Sequence, residues 1–401
     1  MLSRLRPLLP LLLLCVPLAL PACAAPASDA EDDGGEPADS EDALVAMNEP
    51  NETAPASALA AAPLDNASAT DLLDVRGMGD SGWSNTHEKT PIAAEFGKAL
   101  DRFDASGNGY RGDLTFINWE TVVGSGCSEF ASAYSPGKSY AFVSRTETIT
   151  QAMDRGFNLF GLSNNHSRDC VASADTSLRG EVASPAMSAK NIEGLRDDGA
   201  LFAGLASSAH EGDFAKARVR TFTVKGRQVR VAFGSMYMGR SDCPRAACSG
   251  DKRELFESMR DAPADVRILA LHSRGAEDQD EAVRAGSEFV KSYGGDVVFG
   301  QGPHVWKPVR VVRKAAAFGG GTGVVFESLG NFLHPSLGGQ AKNFIGRALF
   351  DLRTLELRQV QVLPVANAGR DVKWSSVDGG ALQANLTWSS STRGVYANVK
   401  P

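Results

Sequence analysis

The sequence predicts an α/β fold, and three observations carry that expectation. From Leu72 onward, apolar runs of strand length recur between Gly, Asn and Asp residues, as buried strands do. Between them lie stretches with apolar residues at helical spacing. Once the N-terminal seventy residues, which look unable to contribute to a core, are set aside, the remainder is about 300 residues, within the size of one large domain.

In chain order, residues 115–117, 157–162, 229–233, 266–271, 297–299 and 324–326 are strand candidates, rich in Val, Ile, Leu and Phe. Residues 145–155, 184–196, 251–260 and 277–292 read as helices. Residues 219–224 and 228–233, joined through Lys225-Gly226-Arg227, read as a hairpin. Residues 344–351 and 356–365 read as paired strands. Beyond Val365 the chain is polar and patternless, so 366–401 reads either as a tail or as a late edge element. No repeat of fixed period is present.

The N-terminus places Arg4 and Arg6 before an apolar run from Leu8 to Leu20 and then small residues, the layout of a secretory signal over residues 1–22. The run is too short and too interrupted by proline to span a bilayer comfortably. It ends in Leu20-Pro21-Ala22-Cys23, which resembles the bacterial lipobox, whose cysteine is lipidated. The alternative is ordinary cleavage near Ala24 or Ala25 and a soluble product. Residues 23–69 are mostly Ala, Pro, Ser, Asp and Glu without an aromatic, so they bury too little to offset their ordering entropy and read as an acidic tether. A lipid on Cys23 would hold the domain at 70–365 on the outer face of a bacterial membrane, in the periplasm or at the cell surface. The net charge is −7, with the acids clustered between Asp29 and Asp42 and no basic face, so nucleic acid is excluded as an expected partner.

Four cysteines follow Cys23, and export brings them to an oxidising compartment. Of the three possible pairings, Cys127 with Cys170 and Cys243 with Cys248 are preferred; the alternative is that some are buried free thiols. The first bridge would close a loop of about 44 residues and contribute about 4 kcal/mol on the chain-entropy model. Cys127 lies soon after Glu120 and Cys170 soon after His166, so that bridge would tie two of the polar loops described next.

Several strand candidates finish in residues that bind metals or move protons: Asp80, Glu120, Asn165 with His166, His272 and His304. In open α/β sheets the carboxyl ends of strands face the ligand crevice, so such residues can meet. Each alone has a blander reading: Asp80, Asn164 and Asn165 as turn formers, His272 as a hydrogen-bonded structural histidine. Yet three of only six histidines sit this way, which makes coincidence the harder reading. Carboxylates, an amide oxygen and imidazoles form a shell suited to manganese, iron or zinc more than to calcium.

In order and spacing these segments resemble the CapA family, associated with poly-γ-glutamate and capsule synthesis and related to the calcineurin-like metallophosphoesterases. The resemblance runs from about Leu72 to Val365. Gly79-Asp80 is similar to the family's Gly-Asp motif, Asn118-Trp119-Glu120 to its Asn-x-Glu, and Asn164-Asn165-His166 with Asp169 to its Asn-Asn-His-x-x-Asp. Gly300 to His304 is similar to its Gly-x-His-Pro-His segment, and Ser328-Leu329-Gly330-Asn331-Phe332 matches its Ser-Leu-Gly-Asn-Phe run. The resemblance implies a metallophosphoesterase-like four-layer sandwich, two mixed β-sheets flanked by helices. It implies metal contacts from Asp80, Glu120, Asn165, His272 and His304 to one or two divalent ions, with His166 as the acid near the leaving group. Asn164 and Asn331 would line the pocket.

Two departures stand out. Gly302 replaces the first histidine of Gly-x-His-Pro-His and removes a ligand, and His272 to Glu277 is one residue longer than the family's His-x-Gly-x-Glu. Glu277, Gln301 and His334 are the candidate substitutes. The function expected from the resemblance is a surface-anchored, metal-dependent hydrolase in capsule, poly-γ-glutamate or related polymer synthesis, acting on a phosphoester or polymer intermediate. Its expected partners are that polymer or phosphorylated intermediate, the membrane, and membrane proteins of synthesis or export. The alternative is a non-catalytic polymer-binding or scaffold component. A periplasmic solute-binding protein is a third reading, and it leaves the histidine pattern unexplained.

Overall fold

The computed structural model describes residues 71–399 apart from 131–139, 173–182, 196–197, 207–211, 378–381, 383–385 and 391–393. The expected signal, the lipidation site Cys23 and the tether lie outside the described residues.

Two sheets form the centre. In the first, Leu72–Ser81 pairs in parallel with Leu114–Trp119 and antiparallel with Gln340–Asp351. Leu159–Gly161 and Leu201–Ala203 extend the parallel side, and Leu357–Asn367 followed by Val395–Asn398 extends the antiparallel side. With Val372–Trp374 and Ser389–Ser390 this sheet has nine strands among the described residues. The second has six. Arg227–Tyr237, Val266–His272, Val297–Gln301 and Thr322–Leu329 run parallel, and Arg218–Val224 and Trp306–Arg313 edge them antiparallel. Strands covered on both faces need apolar side chains on both, hence near-continuous runs such as Val297-Val298-Phe299.

The sheets pack face to face through an aromatic stack. Phe116 of the first lies 4.9 Å from Phe299 of the second with planes 4° apart, and Phe299 continues to Phe326 at 5.5 Å. Gly77 makes this approach possible, since a Cβ there would sit 2.3 Å from the Phe299 ring. The outer face of the nine-stranded sheet is covered by Phe96–Asp104 and Thr146–Met153, whose Phe96, Leu100, Ile149 and Ala152 join one apolar cluster. The outer face of the six-stranded sheet is covered by Lys252–Asp261 and Ala276–Tyr293, with Phe256, Met259 and Phe289 in another. Helix, sheet, sheet and helix make four layers, the sandwich that the motif order implies.

The predicted hairpin forms between Arg218–Val224 and Arg227–Tyr237, and the predicted pair 344–351 with 356–365 forms within longer strands. Of the two readings of residues 366–401, the described residues there follow the edge-element reading: Val372–Trp374 and Val395–Asn398 pair with Leu357–Asn367.

Cys127 and Cys170 are joined, their Cα atoms 5.4 Å apart. Replacing both by serine is expected to lower stability by about 2–4 kcal/mol in denaturant unfolding; no change would mean that the bridge constrains nothing. Cys243 and Cys248 are buried free thiols, which corrects the expected second bridge. The Cys248 thiol faces Asp251 Oδ2 at 3.8 Å while its N–H donates to the same oxygen at 3.0 Å, capping the turn Ser249–Asp251. Hydrogen bonding with Cys243, then burial, pushes its pKa up.

Candidate metal centre

The parallel strands of both sheets point their carboxyl ends at one place. Asp80 closes Leu72–Ser81, where its N–H donates to Gly330 O at 2.9 Å and its carbonyl accepts Phe332 N–H at 2.9 Å. Asn118 is the penultimate residue of Leu114–Trp119 and Glu120 follows it by two residues, so the alternation of a strand puts both on one face. His272 is the last residue of Val266–His272. His304 stands in the loop after Val297–Gln301 with φ of 58°, a left-handed backbone that histidine adopts only under constraint.

Ligand atoms of Asp80, Glu120 and His304 all lie within 4.8 Å of one another. His272 joins them, its Nδ1 at 3.5 Å from Asp80 Oδ1 and its Nε2 at 3.5 Å from Glu120 Oε1. Asp80 and Glu120 are fully buried. Burial pushes the Asp80 carboxyl upward, but His272 and His304 hold it well below the usual carboxylate range. Burial carries His272 downward although Asp80 opposes it, leaving the neutral imidazole that a metal requires.

The residues fit a divalent cation. Asn118 Oδ1, Asn164 Oδ1 and Asn165 Oδ1 are buried and accept no hydrogen bond, and such orphaned groups cost about 1–3 kcal/mol each unless something else satisfies them. The two buried carboxylates, Asp80 and Glu120, likewise need a positive counterpart.

Beside this group, the turn Asn165–Arg168 presents His166. Its Nδ1 lies 2.9 Å from Asp169 Oδ2, which also accepts Phe142 N–H at 2.6 Å. A carboxylate only accepts, so Nδ1 carries the proton and Nε2 is the nitrogen that can take up another. Cys170, next in sequence, ties this turn to Cys127 beyond Glu120.

Asn164 donates its amide to Trp119 O at 3.0 Å. Asn331 Oδ1 meets His304 Nδ1 at 2.8 Å. Asn165 opens the His166 turn, and its Oδ1 is buried without a hydrogen-bond partner. Of the candidate substitutes, Gln301 donates its amide to Phe299 O at 2.6 Å, folded back on its own strand. His334 is buried against Phe142, its Nδ1 accepts Ser336 N–H at 3.3 Å, and burial with His166 and His304 nearby pushes it down to about 3. Glu277 lies in the first turn of Ala276–Tyr293.

Sequence reasoning gave no role to two participants. Asn118 donates to Asp80 Oδ1 at 2.8 Å and lies 3.2 Å from His272 Nδ1; its position two residues before Glu120 was the available signal. Asp169 orients His166, and its i+3 spacing was likewise on view.

None of the curated proteins compared matches the chain. Among solved structures, a novel phosphatase from Mycoplasma pneumoniae is similar at 10% identity, covering 76% of this chain and 95% of its own, with a TM-score of 0.42. A hypothetical protein from Thermus thermophilus is similar at 12% identity, over 75% of this chain and 96% of its own, with a TM-score of 0.34. Residues 189–336, which carry His272, His304 and Asn331, match the family described as bacterial capsule synthesis protein PGA_cap, the CapA family that the motif order resembles.

Proposed function

We propose that the protein is a metal-dependent hydrolase of a phosphoester or an envelope-polymer intermediate in capsule or related polymer synthesis. The observation that carries this reading is the meeting of Asp80, Glu120, His272 and His304 beside the His166–Asp169 pair. Those four residues would hold a manganese, iron or zinc ion, which when bound would supply an activated water and polarise a phosphoryl oxygen. Asn118 holds Asp80 in place. Asp169 fixes the ring of His166, whose Nε2 delivers a proton to the leaving oxygen. In this reading export and a lipid on Cys23 place the domain at a bacterial membrane surface, beside polymer and the membrane proteins that make or export it.

The test is the metal content of the full chain, expressed in an oxidising compartment, against a Glu120→Ala, His304→Ala double variant. Stoichiometric metal lost in the variant is expected. A folded wild type without metal would instead favour the non-catalytic polymer-binding reading, to which Gly302 already lends weight.

A further inference from the structure

We infer that Gln301 contributes its side-chain oxygen to the cation, in place of the imidazole that Gly302 does not carry, and the inference rests on the metal-dependent reading above. Position 302 has no room for a side chain: its φ is +112°, and a Cβ there would lie 1.8 Å from the Ser273 carbonyl oxygen. Its N–H is committed to Asp80 Oδ2 at 3.1 Å. A donor from this stretch of chain must therefore come from a neighbour.

Gln301 is the last residue of Val297–Gln301 and stands opposite His272 in the parallel pairing. Two residues earlier, Phe299 packs between the sheets, against Phe116 and over Gly77. Strand alternation turns Gln301 to that same face, at the end where Asp80 lies. Its side chain is buried. The nitrogen donates to Phe299 O at 2.6 Å, and a carbonyl can only accept, so that bond settles which end of the amide is oxygen. Oε1 is the other end, buried and without a hydrogen-bond partner. A buried acceptor left unmet is costly, and a cation beside it removes the cost. The donor type also bears on which metal is held. Asp80, Glu120, His272 and His304 are enough for a tetrahedral zinc ion, whereas octahedral manganese takes further oxygen donors. Gln301 supplies one of that kind.

The test titrates the chelator-stripped full chain with Mn²⁺ and with Zn²⁺ against an indicator dye. Gln301→Leu is expected to weaken Mn²⁺ binding at least about tenfold, the lower end of what losing a supporting group costs at metal sites, and to leave Zn²⁺ nearly unchanged. Gln301→Glu, which keeps an oxygen, should hold Mn²⁺ as tightly as the wild type or more so. Undiminished Mn²⁺ affinity in the leucine variant, or an equal loss of both metals, would overturn the inference and leave the hydrolase reading standing. No metal bound by the folded wild type would overturn both. If leucine prevents folding at this buried position, a second measurement decides. Wild-type protein is made by cell-free synthesis with ¹³C at the glutamine side-chain carbonyl. Electron–nuclear double resonance of its bound Mn²⁺ is expected to show a ¹³C coupling that Gln301→Glu abolishes, and absence of that coupling in the wild type would sink the idea.

Discussion

Replacing His166 by alanine is expected to slow hydrolysis of a phosphoester with a poor alkoxide leaving group by about 10²–10⁴-fold, the usual range for a positioned general acid. The bound metal should be unchanged, because His166 stands beside the Asp80, Glu120 and His304 group rather than in it. With a nitrophenolate leaving group, which departs without help, the deficit should largely disappear. Steady-state rates on the two substrates decide the matter, and an equal loss on both would remove the acid role. Asp169→Asn should show the same dependence on leaving group, since its work is to hold the Nδ1 proton of His166 at 2.9 Å. In that variant the disulfide at Cys170 still constrains the turn, so a loss would report orientation of the ring rather than collapse of the loop.

The largest stability effect is expected far from the site, at Asp74. Its carboxylate is buried on the central strand and meets Arg76 Nη2 and Arg347 Nη2, each at 2.8 Å. Arg76 and Arg347 are directly opposite one another in the antiparallel pairing of their strands, so Asp74 is what allows two guanidinium groups to sit side by side. Asp74→Ala leaves both cations buried without their anion, and removal of one member of such a network costs about 3–5 kcal/mol. Chemical denaturation should report it, and a loss below about 1 kcal/mol would mean that solvent reaches the arginines. The same contacts set a pH dependence. Burial pushes the Asp74 carboxyl up, but the two arginines carry it below its ordinary value. Its stabilisation is therefore complete above the unfolded carboxyl pKa, about 3.9, and fades as pH falls from there through the lower folded value. In the alanine variant this acid-side slope should flatten.

Much of the architecture was legible because buried parallel strands write themselves as apolar runs: Val266–His272 and Val297–Gln301 stand out from any neighbour. The central strand Leu72–Ser81 does not, because Asp74 and Arg76 interrupt it and are tolerated only through Arg347, which is far away in sequence. Trp306–Arg313 was hidden for a similar reason. It is an edge strand carrying Pro308 and the exposed Arg310 and Arg313, and a proline is accepted in a sheet only at its border. At the site, residue types at strand ends were readable as a set, whereas partnerships were not. That Asn118 lies between Asp80 and His272, and that the Gly302 N–H takes an Asp80 oxygen, depends on the stacking of two sheets and leaves no local mark. The thiols of Cys243 and Cys248 make the same point in reverse, since nearness in sequence was a poor guide to bonding.

The donors are divided between the sheets. Asp80, Asn118 and Glu120 come from the nine-stranded one, His272 and His304 from the six-stranded one and its loop. Neither sheet alone carries a working set, and a slip of one residue, about 3.3 Å along a strand, would carry the two halves out of reach of a common ion. Whatever these groups grip acts as a rivet through the sandwich. Its hold on the ligand and the ligand's hold on the fold are then one free energy seen from two sides.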